Sequence, residues 1–380
     1  MEDNSLKILG KYGQSLWLDY IRRDLIASGG LRSLIDVDGL RGMTSNPAIF
    51  EKAIAGSHEY DEEIRALARA GHDAEAIYEA LSQRDVVSAA DEFRPIYDGT
   101  DGRDGYVSLE VSPHLAHDTG GTIQEGRRLW AALDRPNVLI KVPATAAGLP
   151  AIRQLVCEGI SVNVTLLFGL PRYRQVVEAY IAGLETRAAH GQPLQHVASV
   201  ASFFVSRIDS LVDPLLDERI ARGGTAGDLA RTLQGQTAIA SAKTAYQVFK
   251  EIFGGERFGR LARQGARVQR LLWASTGTKD RKYSDVKYVE ALIGPDTVNT
   301  IPPATLDAYR DHGKPEARLE TDVREARRVL ESLPDLGIRI DEVARQLEEE
   351  GVAKFIQPFD ALIGALVRRA AGQTLDAKEE

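Results

Sequence analysis

The chain has 380 residues, 43% hydrophobic and 27% charged, a usage that supports a sizeable buried core and excludes intrinsic disorder, while the length fits one elaborated domain or two smaller ones. A net charge of -8 with both signs interspersed argues against the broad basic surface that nucleic-acid binding needs, leaving room only for a local basic pocket. The one cysteine, Cys157, allows no internal disulfide and is expected to be a small core residue, and no Cys/His cluster has metal-ligand spacing, so no metal is expected.

The N-terminus lacks a basic segment followed by a long apolar run, and no stretch approaches a membrane span, so the expected location is the cytoplasm. From there, short apolar runs alternate with amphipathic segments. Strands are predicted at 16–18, 39–43, 106–111, 138–142, 160–164, 197–201, 271–274 and 297–301. Helix-period stretches fall at 61–70, 74–94, 122–132, 148–158, 171–187 and 227–253, then at 316–333 and 340–370 without further strands. Eight strands alternating with helices predict a parallel α/β fold, a (β/α)8 barrel. The expected organisation is one unit over 1–380, with a helical insertion at 47–100 and C-terminal helices at 315–370 packed beside the barrel mouth. The tail Leu375-Asp-Ala-Lys-Glu-Glu380 reads as mobile.

Catalytic groups of such barrels gather at the C-terminal strand ends. Polar residues stand near those ends at Asp19, Asn46, Glu110, Lys141, Asn163, Ser202, Ser275 and Asn299. Any one alone reads as a turn former or helix cap, and Thr44-Ser-Asn-Pro47 suits a cap well. Glu110 and Lys141 differ because Val107-Ser-Leu-Glu-Val111 and Val138-Leu-Ile-Lys-Val142 place charges inside runs that should be buried. Buried charges are costly unless paired or functional. Either the two form an ion pair tying adjacent strands, or Lys141 is an amine nucleophile in a desolvated interior. No G-x-G-x-x-G follows the first strand, and Asp118-Thr-Gly-Gly121 is an isolated loop signal, so neither flavin nor nicotinamide is expected.

Six ordered motifs carry a family resemblance: Gly42-Met-Thr-Ser-Asn-Pro47, Val107-Ser-Leu-Glu-Val111, Leu139-Ile-Lys-Val-Pro-Ala-Thr145, Asn163-Val-Thr-Leu-Leu-Phe168, Ser202-Phe-Phe-Val-Ser-Arg207 and Trp273-Ala-Ser-Thr-Gly-Thr278. Across about residues 14–305 the chain resembles the transaldolases, especially their longer bacterial branch. The resemblance implies cofactor-free, ping-pong transfer of a dihydroxyacetone unit in the non-oxidative pentose phosphate pathway. Donors would be sedoheptulose 7-phosphate or fructose 6-phosphate, and acceptors glyceraldehyde 3-phosphate or erythrose 4-phosphate.

It also implies roles. Lys141 matches the Schiff-base nucleophile, Asp19 the acid/base, and Glu110 with Thr165 the pair that positions a water for dehydration. Asn46, Asn163 and Ser202 match contacts to the hydroxyls of the three-carbon unit, and Phe204 an apolar aromatic near the imine, although an ordinary core phenylalanine fits equally. Arg207 matches a phosphate-binding arginine. Many transaldolases carry Ser-x-Arg after the seventh strand; here the segment reads Ser275-Thr-Gly277, so Ser275 and Lys279 are expected to take that contact. The alternatives are a fructose-6-phosphate aldolase releasing dihydroxyacetone and a non-catalytic phosphosugar-binding barrel. Monomer and homodimer stay equally open.

Overall fold

The apolar runs become β1 (Gln14–Asp19), β2 (Gly42–Thr44), β3 (Tyr106–Glu110), β4 (Val138–Pro143), β5 (Val162–Leu167), β6 (Ser199–Phe204), β7 (Arg270–Ala274) and β8 (Thr297–Ile301). Neighbours pair in parallel and in sequence order, and β8 returns to β1, so the sheet closes. The expected (β/α)8 barrel is therefore the observed fold. A computed structural model describes residues 4–372; the tail Leu375–Glu380 lies outside the described residues.

Side chains alternate along each strand, so every second residue points into the barrel. Trp17, Leu139, Val200, Leu272 and Val298 form an apolar cluster of their own, distinct from the main core beneath the helices. Trp17 fits because β2 faces it with Gly42, where a Cβ would stand 2.6 Å from the indole ring. One end of the barrel is closed by Arg270, bonded to Asp104 at 2.9 Å and to Ser15 at 2.8 Å. The apolar layer thus separates that plug from the opposite end, where the polar residues gather.

Several boundaries move. Positions 39–41 do not join β2: Gly39 caps the helix Gly30–Asp38. β6 runs on to Phe204. The helix expected to stop at Arg94, before Pro95, continues to Gly99, and Thr100 Oγ1 then bonds the Ile96 carbonyl at 2.7 Å. The single stretch 227–253 is two helices, Gly224–Leu233 and Thr237–Phe253. The break falls at Gly235, whose N–H is taken by Asp213 Oδ1 at 2.9 Å instead of the helix ladder. The stretch 316–333 is helical only over Val323–Ser332, because Arg318 and Leu319 donate to the Ile293 carbonyl. Cys157 is half-buried, on the helix Gly148–Glu158, and is not the core residue expected.

Residues 47–100 carry the helices Pro47–Phe50, Asp61–Arg69 and Ala74–Gly99. The C-terminal helix Ile340–Ala370 packs against all three and against β5. Near its end Arg369 donates to the carbonyls of Ile54, Ala55 and Ser57 at 2.7, 3.0 and 2.9 Å. In its middle Gly351 lets the backbone approach β5, since a Cβ there would lie 3.0 Å from Leu166 Cδ2. That approach brings the next helical turn, Lys354 and Phe355, over the polar barrel end.

Candidate active site

Lys141, on β4, is 4% exposed, and its Nζ donates to the Ser45 carbonyl at 2.7 Å. Register places Glu110 of β3 beside it, with Oε2 3.2 Å from Nζ. That approach makes a buried ion pair, and Thr165 on β5 stands on the other side of Lys141. Burial pushes the Glu110 carboxyl above the usual range; Lys141 pulls it down and Asp19 pushes it up.

Asp19, at the end of β1, accepts from Thr44 Oγ1 at 2.7 Å, and the same hydroxyl lies 2.7 Å from Thr300 Oγ1 on β8. Loss of water raises the Asp19 carboxyl as well, opposed by the Thr44 hydroxyl and by Lys141 and Lys279. On the other side of Lys141, Ser202 Oγ donates to Asn163 Oδ1 at 2.6 Å, and Asn163 Nδ2 to Ser108 Oγ at 3.0 Å. Asn163 is fixed behind Ser202 by both ends of its amide. Asn46 caps the helix Pro47–Phe50 through Oδ1, 3.0 Å from the Ile49 N–H. The cap engages only that oxygen.

These groups border a cavity of about 190 Å³ at the C-terminal strand ends. Of the residues singled out in the sequence, it is lined by Asp19, Asn46, Lys141, Thr165, Ser202, Phe204, Arg207, Ser275 and Lys279. Glu110 and Asn163 do not line it but touch Lys141 and Ser202. Its apolar side is Phe204, tilted against Phe168 at 5.0 Å between centroids, and Phe355, whose ring centre lies 5.8 Å from Lys141 Nζ. Its basic side is Arg207, on the helix Ser206–Arg222, and Lys279. Among the described residues no carboxylate forms an ion pair with either. Lys279 is exposed as a residue, yet its ammonium reaches the mouth, where loss of water and then Arg207 and Lys52 lower its pKa against the pull of Asp19. Ser275, at φ +55°, places its Oγ 3.0 Å from Ser206 Oγ beside them. A larger cavity of about 530 Å³ lies at the plugged end, lined by Arg103, Arg267 and Arg270 among others, and holds none of the candidate groups.

Asn299 does not join the site. It points outward and accepts from Thr276 Oγ1 at 3.0 Å, whereas Thr300 lines the cavity. Counting two residues on from the inward Val298 identifies Thr300, so the signal was present in the strand alternation. Thr44 was legible in the same way. Lys354 and Phe355 were not, since no local pattern tells which turn of a long helix crosses the mouth.

A family model described as transaldolase/fructose-6-phosphate aldolase matches residues 16–366. A protein named transaldolase 2 from a Nostoc species is 51% identical over 371 residues, 96% of this chain and 97% of its own length. The transaldolase of Trichodesmium erythraeum is 49% identical over 370 residues, covering 96% and 97%. Transaldolase 1 of Streptomyces avermitilis is 47% identical over 375 residues, 98% of each chain.

Proposed function

Because the chain belongs to the transaldolase/fructose-6-phosphate aldolase family, we propose that it works as a transaldolase, carrying a dihydroxyacetone unit between sugar phosphates on a Lys141 Schiff base. The observation that carries this reading is the buried Lys141 amine, at the floor of a cavity whose mouth holds cations and whose wall holds Asp19. Lys141 Nζ adds to the ketose carbonyl, and loss of water gives an imine that draws electrons from the neighbouring carbon-carbon bond. Glu110 and Thr165, on the strands either side of Lys141, position the water lost and regained. Asp19 takes the proton from the hydroxyl beside the breaking bond, and its raised pKa suits proton traffic nearer neutrality. Asn46 and Ser202 bind the hydroxyls of the retained three-carbon unit, with Asn163 orienting Ser202 from behind. The reaction uses the cytoplasmic sugar phosphates of the non-oxidative pentose phosphate pathway and no cofactor.

Transfer, not release, is favoured by the apolar faces of Phe204 and Phe355, which limit water around the imine. The test is borohydride reduction with fructose 6-phosphate. A covalent adduct at Lys141 and little free dihydroxyacetone without acceptor are expected; stoichiometric free dihydroxyacetone would identify an aldolase, and no adduct a non-catalytic barrel.

Arg207, Ser275 and Lys279 hold the substrate phosphate, the arginine through its planar fork. Arg207→Ala is expected to raise KM for fructose 6-phosphate about tenfold to a hundredfold, the worth of a hydrogen bond between charged groups, with little change in kcat. Inhibition by inorganic phosphate should weaken in parallel. An unchanged KM would place the phosphate elsewhere.

A further inference from the structure

Two cavities meet at Glu110. Lys141 and Thr165 line the mouth cavity, whereas Glu110 lines a separate chamber of about 290 Å³ behind it. That chamber lies between the helices Ala74–Gly99, Thr119–Leu133 and Ile340–Ala370, which contribute Tyr78 and Ser82, Glu125 and Leu129, and Phe359. Its outer lining includes the exposed Asp73, Glu75 and Arg128, so it faces solvent, and it shares no lining residue with the mouth cavity. Its volume accommodates several water molecules. Glu110, with Oε2 3.2 Å from Lys141 Nζ on one side and a charge that raises the Tyr78 phenol of the chamber wall on the other, stands between the two spaces.

The chemistry creates a need for such a partition. Every imine formed expels one water and every imine hydrolysed consumes one, and at both moments a sugar phosphate fills the mouth. We infer that the chamber behind Glu110 is the water port of the reaction, admitting and releasing the water exchanged at the Lys141 imine. This rests on the Schiff-base reading above. Lys141 Nζ bonds to the ketose carbonyl carbon and its proton passes to the carbonyl oxygen, giving a carbinolamine. Glu110 gives a proton to that hydroxyl, the carbon-oxygen bond breaks, and one water leaves for the chamber; the iminium formed is balanced by the Glu110 carboxylate. Hydrolysis reverses each step. Burial, which keeps the Glu110 carboxyl above its usual range, suits it to hold that proton.

The experiment is oxygen exchange. Fructose 6-phosphate is incubated with the enzyme in water enriched in ¹⁸O, and label entering the ketose carbonyl is compared with the imine trapped by borohydride. Each exchange requires the expelled water to escape before the imine is hydrolysed. Ser82, 1% exposed on the chamber wall, is changed to Met to fill the chamber and to Ala to leave it open. Ser82→Met should retain trappable imine and inhibition by inorganic phosphate while exchange per imine falls severalfold; Ser82→Ala should exchange like the native enzyme. Ala76→Phe, at the half-buried rim, repeats the test if Ser82→Met does not fold. Unchanged exchange in a folded, plugged variant overturns the port and leaves the Schiff base standing. Absence of an adduct in the native enzyme removes the Schiff base, and the port with it.

Discussion

Replacing Lys141 with alanine is expected to lower transfer from fructose 6-phosphate to erythrose 4-phosphate by at least about 10⁴-fold, because loss of a covalent nucleophile removes the whole reaction path and not one contact within it. The variant should still fold. Lys141 gives up one hydrogen bond to the Ser45 carbonyl and one ion pair with Glu110, and Glu110, its carboxyl already raised by burial, can answer the loss of the cation by holding its proton. Lys141→Met preserves most of the side-chain volume and separates the two readings of this residue. If Lys141 served only as half of a buried pair, Met would lower the melting temperature, because removing one partner leaves the buried Glu110 without its counter-charge, and would leave turnover intact. A nucleophile predicts the opposite: a folded barrel, normal inhibition by inorganic phosphate, and no turnover. Substantial residual transfer in either variant would falsify the Schiff-base assignment.

Asp19→Asn should lower kcat by about 10²–10⁴-fold, the range for a positioned general acid/base. Asparagine keeps an oxygen to accept from Thr44 but cannot take a proton. The borohydride-trapped imine should survive, because Asp19 acts on the carbon-carbon bond after the imine exists; loss of trapping would move Asp19 to an earlier step. Its raised pKa also sets two pH effects of opposite sense. As a base Asp19 must be ionised, so the acid limb of native kcat/KM is expected above the ordinary aspartate range and should disappear in the variant. For stability, the folded carboxyl holds its proton to higher pH than the unfolded one, so its contribution is present below the ordinary aspartate range and is lost as pH rises towards the folded value. At neutral pH the ionised carboxyl is therefore a cost, and Asp19→Asn should melt no lower than the native protein, with the gap closing on acidification. A clear drop in melting temperature at neutral pH would show that the Thr44–Asp19 bond dominates.

The cations at the mouth divide the work differently from the floor. In the proposed reaction Lys141 and Asp19 act on bonds that change, whereas Arg207 and Lys279 hold a phosphate that does not, and so are expected to appear in KM. Lys354 borders the same mouth, but its ammonium is engaged 2.8 Å from Glu350 one turn earlier on its helix.

Periodicity alone determined the barrel, because each strand must bury both faces and therefore reads as a short apolar run. The same rule exposed the site: a run that should be wholly apolar makes Glu110 and Lys141 conspicuous, and parallel register then puts them side by side. The strand-end rule added Asp19 and Ser202, and the family motifs Thr165 and Arg207, all of which the fold brings to one end. The sequence did not decide where long helices break or cross. Whether 227–253 is one helix or two depended on Asp213 claiming the Gly235 N–H from another helix. The placement of Phe355 over Lys141 depended on Arg369 anchoring the C-terminal helix to the 47–100 segment and on Gly351 meeting Leu166. The division of the interior at Glu110 likewise required three helices distant in sequence to stand around one carboxylate. Strand identity follows from local burial and is written in neighbouring residues. Helix docking is set by side-chain contacts between segments hundreds of residues apart, which only the assembled structure brings together.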